Sequence, residues 1–132
     1  MVKFSYTILY VKNVTESIEF YEKAFGFKRK FITPENDYAE LLSGDTVISF
    51  ANMQLANANL SGGFKESIKG EKPFGIELGF TTENVEMVFT HAVELGATPL
   101  ENMKIKPWGQ AVAYVQDING FLIEICSPMP DA

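Results

Sequence analysis

Cysteine, histidine and tryptophan each occur once in these 132 residues, as Cys126, His91 and Trp108. A single cysteine excludes any disulfide within the chain, and a reducing compartment, the cytoplasm, is the expected location. A single histidine excludes a two-His metal site built by one chain. Basic residues are also few: 11 Lys and Arg stand against 17 Asp and Glu, a formal net charge of −6. A surface of that sign repels phosphate backbones, so nucleic acid is not an expected partner. A cationic or neutral small molecule meets no such barrier. No apolar run approaches the roughly 18 residues needed to cross a bilayer, so no membrane partner is expected. The opening "MVKFSYTILYVKN" carries no signal-peptide cleavage pattern.

What is present is a pattern written twice. "TILYV", residues 7–11, has the character of a short strand. In "NVTESIEFYEKAFGF" that follows, Val14, Ile18, Tyr21 and Phe25 recur at helical spacing, with Thr15 placed to cap the helix and Gly26 to end it. About 70 positions later "GIELGF" gives another strand. After it, "NVEMVFTHAVELGA" sets Val85, Val88, Phe89, Ala92 and Leu95 on one stripe that Gly96 closes. Three strand-like runs follow each helix: "KRKFIT", "YAELLS" and "TVISFA", then "TPLEN", "AVAYVQD" and "FLIEIC". Gly44-Asp45 marks a tight turn in the first set, and Asn119-Gly120 a two-residue hairpin in the second, with Gly120 suited to its positive φ.

The fold expected is therefore α+β: one domain over 1–132, made of two βαβββ modules at about 1–52 and 74–128. The aperiodic, Asn-, Gly- and Lys-rich stretch at about 53–73 reads as a connector. One module alone leaves a sheet face bare, so pairing of modules or of chains is required.

"LYVKNVTESIEFYEKAFGF", "NVEMVFTHAVELGA" and above all "KPWGQAVAYVQDINGFLIEICSP" resemble the vicinal oxygen chelate superfamily. That superfamily holds glyoxalase I, bleomycin-resistance proteins and extradiol dioxygenases. The resemblance spans nearly the whole chain and implies curved mixed sheets around a ligand cleft, in a homodimer. In metal-dependent members four strand positions carry His or Glu ligands. Those positions fall here at Tyr6, Ser49, Gly75 and Glu124, of which only Glu124 keeps a ligand type. A phenol must first lose a proton with pKa about 10 to bind a divalent ion, and glycine offers no side chain. No metal and no cofactor is expected.

Glu124 sits inside the apolar run "FLIEI", where a carboxylate is costly unless paired. It is either a cleft acid that receives a ligand, or accepts a proton, or else a structural acid bonded to a tyrosine. Trp108 offers a wide apolar ring for stacking on a flat ligand, or alternatively anchors a loop. Tyr6 and Ser49 replace metal ligands and are expected to shape the cleft floor. Gln110, Tyr114 and Phe50 are weaker candidates: the first equally finishes a turn, the others equally belong to the core. Cys126 reads as a small buried hydrophobe and His91 as a surface or half-buried residue at the border of its helix stripe.

Three functions remain open on the sequence. The first is a metal-independent binding protein for a small organic molecule, aromatic or cationic, a drug or antibiotic included. The second is a glyoxalase-like or dioxygenase-like enzyme with Glu124 as acid/base or residual metal ligand. The third is an accessory domain that only dimerises.

Overall fold

The structure, a computed structural model, describes residues 1–130. Its elements are β1 (Thr7–Val11), α1 (Val14–Phe25), β2 (Lys28–Ile32), β3 (Tyr38–Ser43), β4 (Thr46–Asn52) and α2 (Met53–Asn59). They continue as β5 (Glu77–Thr81), α3 (Val85–Glu94), β6 (Thr98–Ile105), β7 (Ala111–Gln116) and β8 (Leu122–Cys126). Two compact units result, Met1–Glu66 and a second that starts at Ser67. Each is a four-stranded mixed sheet with one long helix, in the order β1-β4-β3-β2 and β5-β8-β7-β6. The first strand of each runs parallel to its neighbour and the remaining pairs are antiparallel. The α+β class and the doubled βαβββ order are as the sequence predicts. No helix among the described residues is long and apolar enough to cross a membrane.

In the first unit α1 lays Val14, Ile18, Phe20, Tyr21 and Ala24 into the core. Tyr21 meets Phe50 of β4 at 5.0 Å between ring centroids. The helix begins two residues earlier than Thr15 suggests: Asn13 is the cap, its side-chain oxygen accepting from Glu16 N at 2.9 Å. An uncapped first turn leaves backbone donors unsatisfied, and asparagine reaches them better than a threonine already inside the helix. Gly26, at φ 74°, ends the helix as expected, its N–H donating to Glu22 O.

The connector is more ordered than its composition suggests. β4 runs to Asn52, which then caps α2 by accepting from Leu55 N at 2.9 Å. Helical periodicity over only seven residues, with Asn at three of the nine positions after Ala51, is too weak a signal to read. From Ser67 the chain packs with the second unit: Gln116 donates to Glu71 O at 2.7 Å.

The expected two-residue hairpin at Asn119-Gly120 is not formed. Gln116 pairs with Leu122, so five residues make the loop. Asp117 is fully buried and organises it, one carboxylate oxygen accepting from Asn119 N and Phe121 N at 2.8 Å each. Asn119 is not among the positive-φ residues, as a two-residue turn of the expected type requires, whereas Gly120 is, at φ 94°. Gly120 has a second reason to lack a side chain: a Cβ there would stand 2.6 Å from the backbone of Ile68. The Gly44-Asp45 turn does form, between the paired Ser43 and Thr46.

Candidate functional site

β8 divides its side chains between two faces. Ile123 and Ile125 are fully buried, paired with Val115 and Ala113 of β7 on the side that α3 covers. By strand alternation Leu122, Glu124 and Cys126 point the other way. This unit has no helix of its own on that second face. Glu124 is half-buried there and not sunk in hydrocarbon, which resolves the cost of an acid in an apolar strand.

Two neighbours define what Glu124 can do. On β7 the Tyr114 hydroxyl donates to Glu124 Oε2 at 3.1 Å. On β5 its register partner is Gly79, where a Cβ would lie 3.7 Å from Oε1. Gly79 is not at positive φ, so no backbone geometry demands glycine; the missing side chain leaves room beside the carboxylate. Two residues earlier on the same face, Glu77 brings a second carboxyl. Partial burial and then repulsion from Glu124 raise its pKa above the ordinary 4.5, while a hydrogen bond from Tyr114 opposes the shift. Burial, followed by the bond and charge of Glu124, pushes the Tyr114 phenol up to about 12. Cys126 is buried, and its thiol is also raised, by burial first and the charge of Glu124 second. A thiol so shifted is a poor nucleophile. The cluster can hold a cation or pass a proton between carboxyls.

The first sheet has a corresponding face away from α1. Ile48 and Phe50 are buried on the α1 side, so Ser49 between them faces the other way, opposite Glu40 on β3 and Ile8 on β1. A bulge between Arg29 and Phe31 turns Lys30 onto this face, where its ammonium lies 3.4 Å from Glu40 Oε1. Tyr38 donates to Glu40 Oε2 at 2.7 Å. Its phenol is pushed up to about 12, chiefly by burial, with a hydrogen-bonding interaction from the Ser49 hydroxyl opposing and Glu40 and Tyr6 adding to the shift. Ser49 is fully buried.

The remaining candidates scatter. Phe50 belongs to the core beneath α1, not to an open face. Tyr6 precedes β1 and is 51% exposed, near Tyr38. Trp108 is 56% exposed on the β6–β7 turn, and its indole N–H donates to Gln110 Oε1 at 2.8 Å. Gln110 in turn donates to Ser127 O at 2.8 Å, so both its ends are committed to holding that turn. Gly75 lies ahead of β5, which starts two residues later than "GIELGF" suggests. His91 is exposed on α3.

Sequence reasoning missed Glu77, Tyr38, Glu40 and Lys30. Glu77 was within reach: in "ELGFT" Leu78 and Phe80 mark the core face, and alternation puts Glu77 on the side of Glu124. Lys30 was not, because its ion pair with Glu40 depends on the pairing of β2 with β3, which neither strand states alone.

The residues present do not suit a divalent metal. Glu77 and Glu124 are two carboxylates whose nearest phenol, Tyr114, holds its proton far above neutral pH. Among the described residues no three His, Cys, Asp or Glu side chains converge as an ion would need.

Residues 4–130 match the family model described as a glyoxalase-like domain. The chain belongs to that family, within the vicinal oxygen chelate superfamily. A relative in Bacillus subtilis, the uncharacterised protein YraH, is 30% identical over 119 residues, covering 89% of this chain and 91% of that protein. Among solved structures, a glyoxalase-related enzyme from Fulvimarina pelagi superposes with a TM-score of 0.81 at 19% identity, over 97% of this chain and 89% of its own. A glyoxalase/bleomycin resistance protein/dioxygenase family enzyme from Burkholderia phytofirmans gives 0.77 at 20% identity, over 96% and 98%. At such identities these structures establish the fold of this family member and leave its chemistry to its own residues.

Proposed function

We infer that this glyoxalase-family chain is a metal-independent binding protein for small organic molecules, with Glu124 as the anchor for an ammonium group. The observation that carries the reading is the Glu77–Glu124 pair on the open face of the second sheet, with Tyr114 orienting one carboxylate and Gly79 leaving space beside it. Two acids kept close repel each other, and a cation between them relieves that repulsion. The net charge of −6 favours the same ligand sign. Trp108, whose N–H is already bonded, offers its ring face for stacking. Ligands of this class include cationic aromatic drugs and antibiotics, which the resistance members of the superfamily suggest. The reading includes a homodimer, supported by the exposed Phe4 and Ile76, and a cytoplasmic location, supported by the lone reduced cysteine.

Titration calorimetry with benzylamine tests it, on the wild type and on Glu124→Gln, with a chelator and with added zinc or manganese. Saturable binding in chelator, weakened at least about tenfold by the substitution, is the expected result. Binding that appears only with a divalent ion overturns it.

The same pair favours one second reading. A carboxyl with a raised pKa beside a carboxylate is a proton donor and acceptor in one site, as a glyoxalase-like or dioxygenase-like enzyme with Glu124 as acid/base would need. Turnover of a 2-oxoaldehyde–thiol adduct that Glu124→Gln abolishes would establish it.

A further inference from the structure

Asn119-Gly120 is a chemically labile pair as well as a turn sequence. In an Asn-Gly pair the glycine nitrogen loses its proton and attacks the asparagine Cγ. Ammonia leaves and a five-membered succinimide closes. Water then opens that ring to aspartate or to isoaspartate. Glycine permits the attack because no side chain crowds its nitrogen or limits its backbone.

The loop between β7 and β8 opposes each step. Gly120 N–H donates to Asp117 O at 3.1 Å, so the attacking nitrogen is engaged. Asn119 N and Phe121 N both donate to Asp117 Oδ1 at 2.8 Å, which pins the peptides on either side. The Gln116 amide donates to Gly120 O at 3.1 Å and to Glu71 O at 2.7 Å. The backbone of Ile68 lies over Gly120, where a Cβ would stand 2.6 Å away. Residues 68–71 thus form a strap across the labile peptide, tied on its other side by Lys69, whose ammonium donates to Gly96 O at 2.8 Å. The strap itself is exposed and belongs to no helix or strand. Segments of that kind open at a lower free energy than the whole fold.

We propose that Asn119 is a deamidation site gated by this strap. Closed, the strap keeps the residue an asparagine; open, it lets the Gly120 nitrogen leave Asp117 O and reach the side chain. The change runs one way. Isoaspartate adds a negative charge and lengthens the main chain by one carbon between the two N–H groups that Asp117 holds, so the strap cannot reseat on the same loop. The product is the substrate of a carboxyl methyltransferase that recognises isoaspartyl residues, which makes such an enzyme the partner of the aged chain.

The test is ageing of the full chain in mildly alkaline buffer, with peptide mapping by mass spectrometry and isoaspartyl methyltransferase labelling. A synthetic peptide of residues 116–122 gives the unprotected rate. Folded wild type should convert Asn119 at least about tenfold more slowly than the peptide, and in unfolding urea it should reach the peptide's rate. Lys69→Ala should convert about threefold faster than wild type or more, the effect of one lost hydrogen bond on the opening equilibrium. Lys69→Arg, which keeps a donor, should age as the wild type does. Hydrogen exchange at the Gly120 amide should quicken in Lys69→Ala by the same ratio. Equal rates in the folded chain and the peptide overturn the proposal. So does a Lys69→Ala rate that stays at the wild-type value, or one that rises while Gly120 exchange does not.

Discussion

Gly79 and Glu124 face each other on adjacent parallel strands, and a methyl group on the glycine would sit in van der Waals contact with the carboxylate, 3.7 Å from Oε1. Valine at 79 suits a strand better than glycine, by up to about 1 kcal/mol. Gly79→Val should therefore melt no lower than the wild type yet bind benzylamine at least about fivefold more weakly. Thermal melts and calorimetry on one preparation decide it; retained affinity would mean that the space beside Glu124 is not used.

Tyr114→Phe removes one hydrogen bond to a half-buried carboxylate and leaves the ring in place. A loss of about 1 kcal/mol of stability is expected in urea unfolding. Affinity for benzylamine should fall less than in Glu124→Gln, since the carboxylate remains and only its orientation is freed.

The raised Glu77 pKa gives stability and binding opposite slopes. A carboxyl raised on folding stabilises the protein fully below its unfolded pKa and loses that contribution as pH climbs through the folded value. Over the same window the second negative charge appears, so affinity for an ammonium ligand should increase. Melting and binding profiles from about pH 4 to about pH 7 should show both trends, and Glu77→Gln should flatten both.

Phe50 separates core from site. It is fully buried against Tyr21, so Phe50→Ala should cost about 3–5 kcal/mol. Phe50→Leu should fold and bind benzylamine as the wild type does, measured by the same calorimetry.

The fold was legible because its signals are local and repeated. Val14, Ile18 and Tyr21 mark a helix face on their own, and the same grammar recurs at Val85 and Ala92. Glu124 and Tyr114 were legible as candidates, but the bond that joins them depends on antiparallel register, which no single strand states. Glu77 was passed over for a smaller reason: the resemblance points to Gly75, two residues earlier on the same alternation. Ser49 stood out only as a replaced ligand. The Asn119-Gly120 turn misled because Asp117, buried just before it, captures the backbone N–H groups and enforces a wider loop.

Gly120→Ala tests that loop. The substitution meets both a left-handed backbone and the main chain of Ile68 at 2.6 Å. A loss of roughly 2–4 kcal/mol is expected from strain and overpacking together, read from denaturant midpoints at unchanged slope.

The seam at Gly120 also says where the molecule can be cut. Residues 68–71 lie against that glycine and accept a bond from the Gln116 amide, so they act as a clasp on the β7–β8 hairpin. A fragment that starts at Phe74 would unfasten it and remove the shorter of the two hydrogen bonds the buried Gln116 amide donates, leaving only the one to Gly120 O. Excision, insertion or a new chain terminus belongs upstream, around the exposed Ser61 and Gly62, where the backbone has no such clasp to lose.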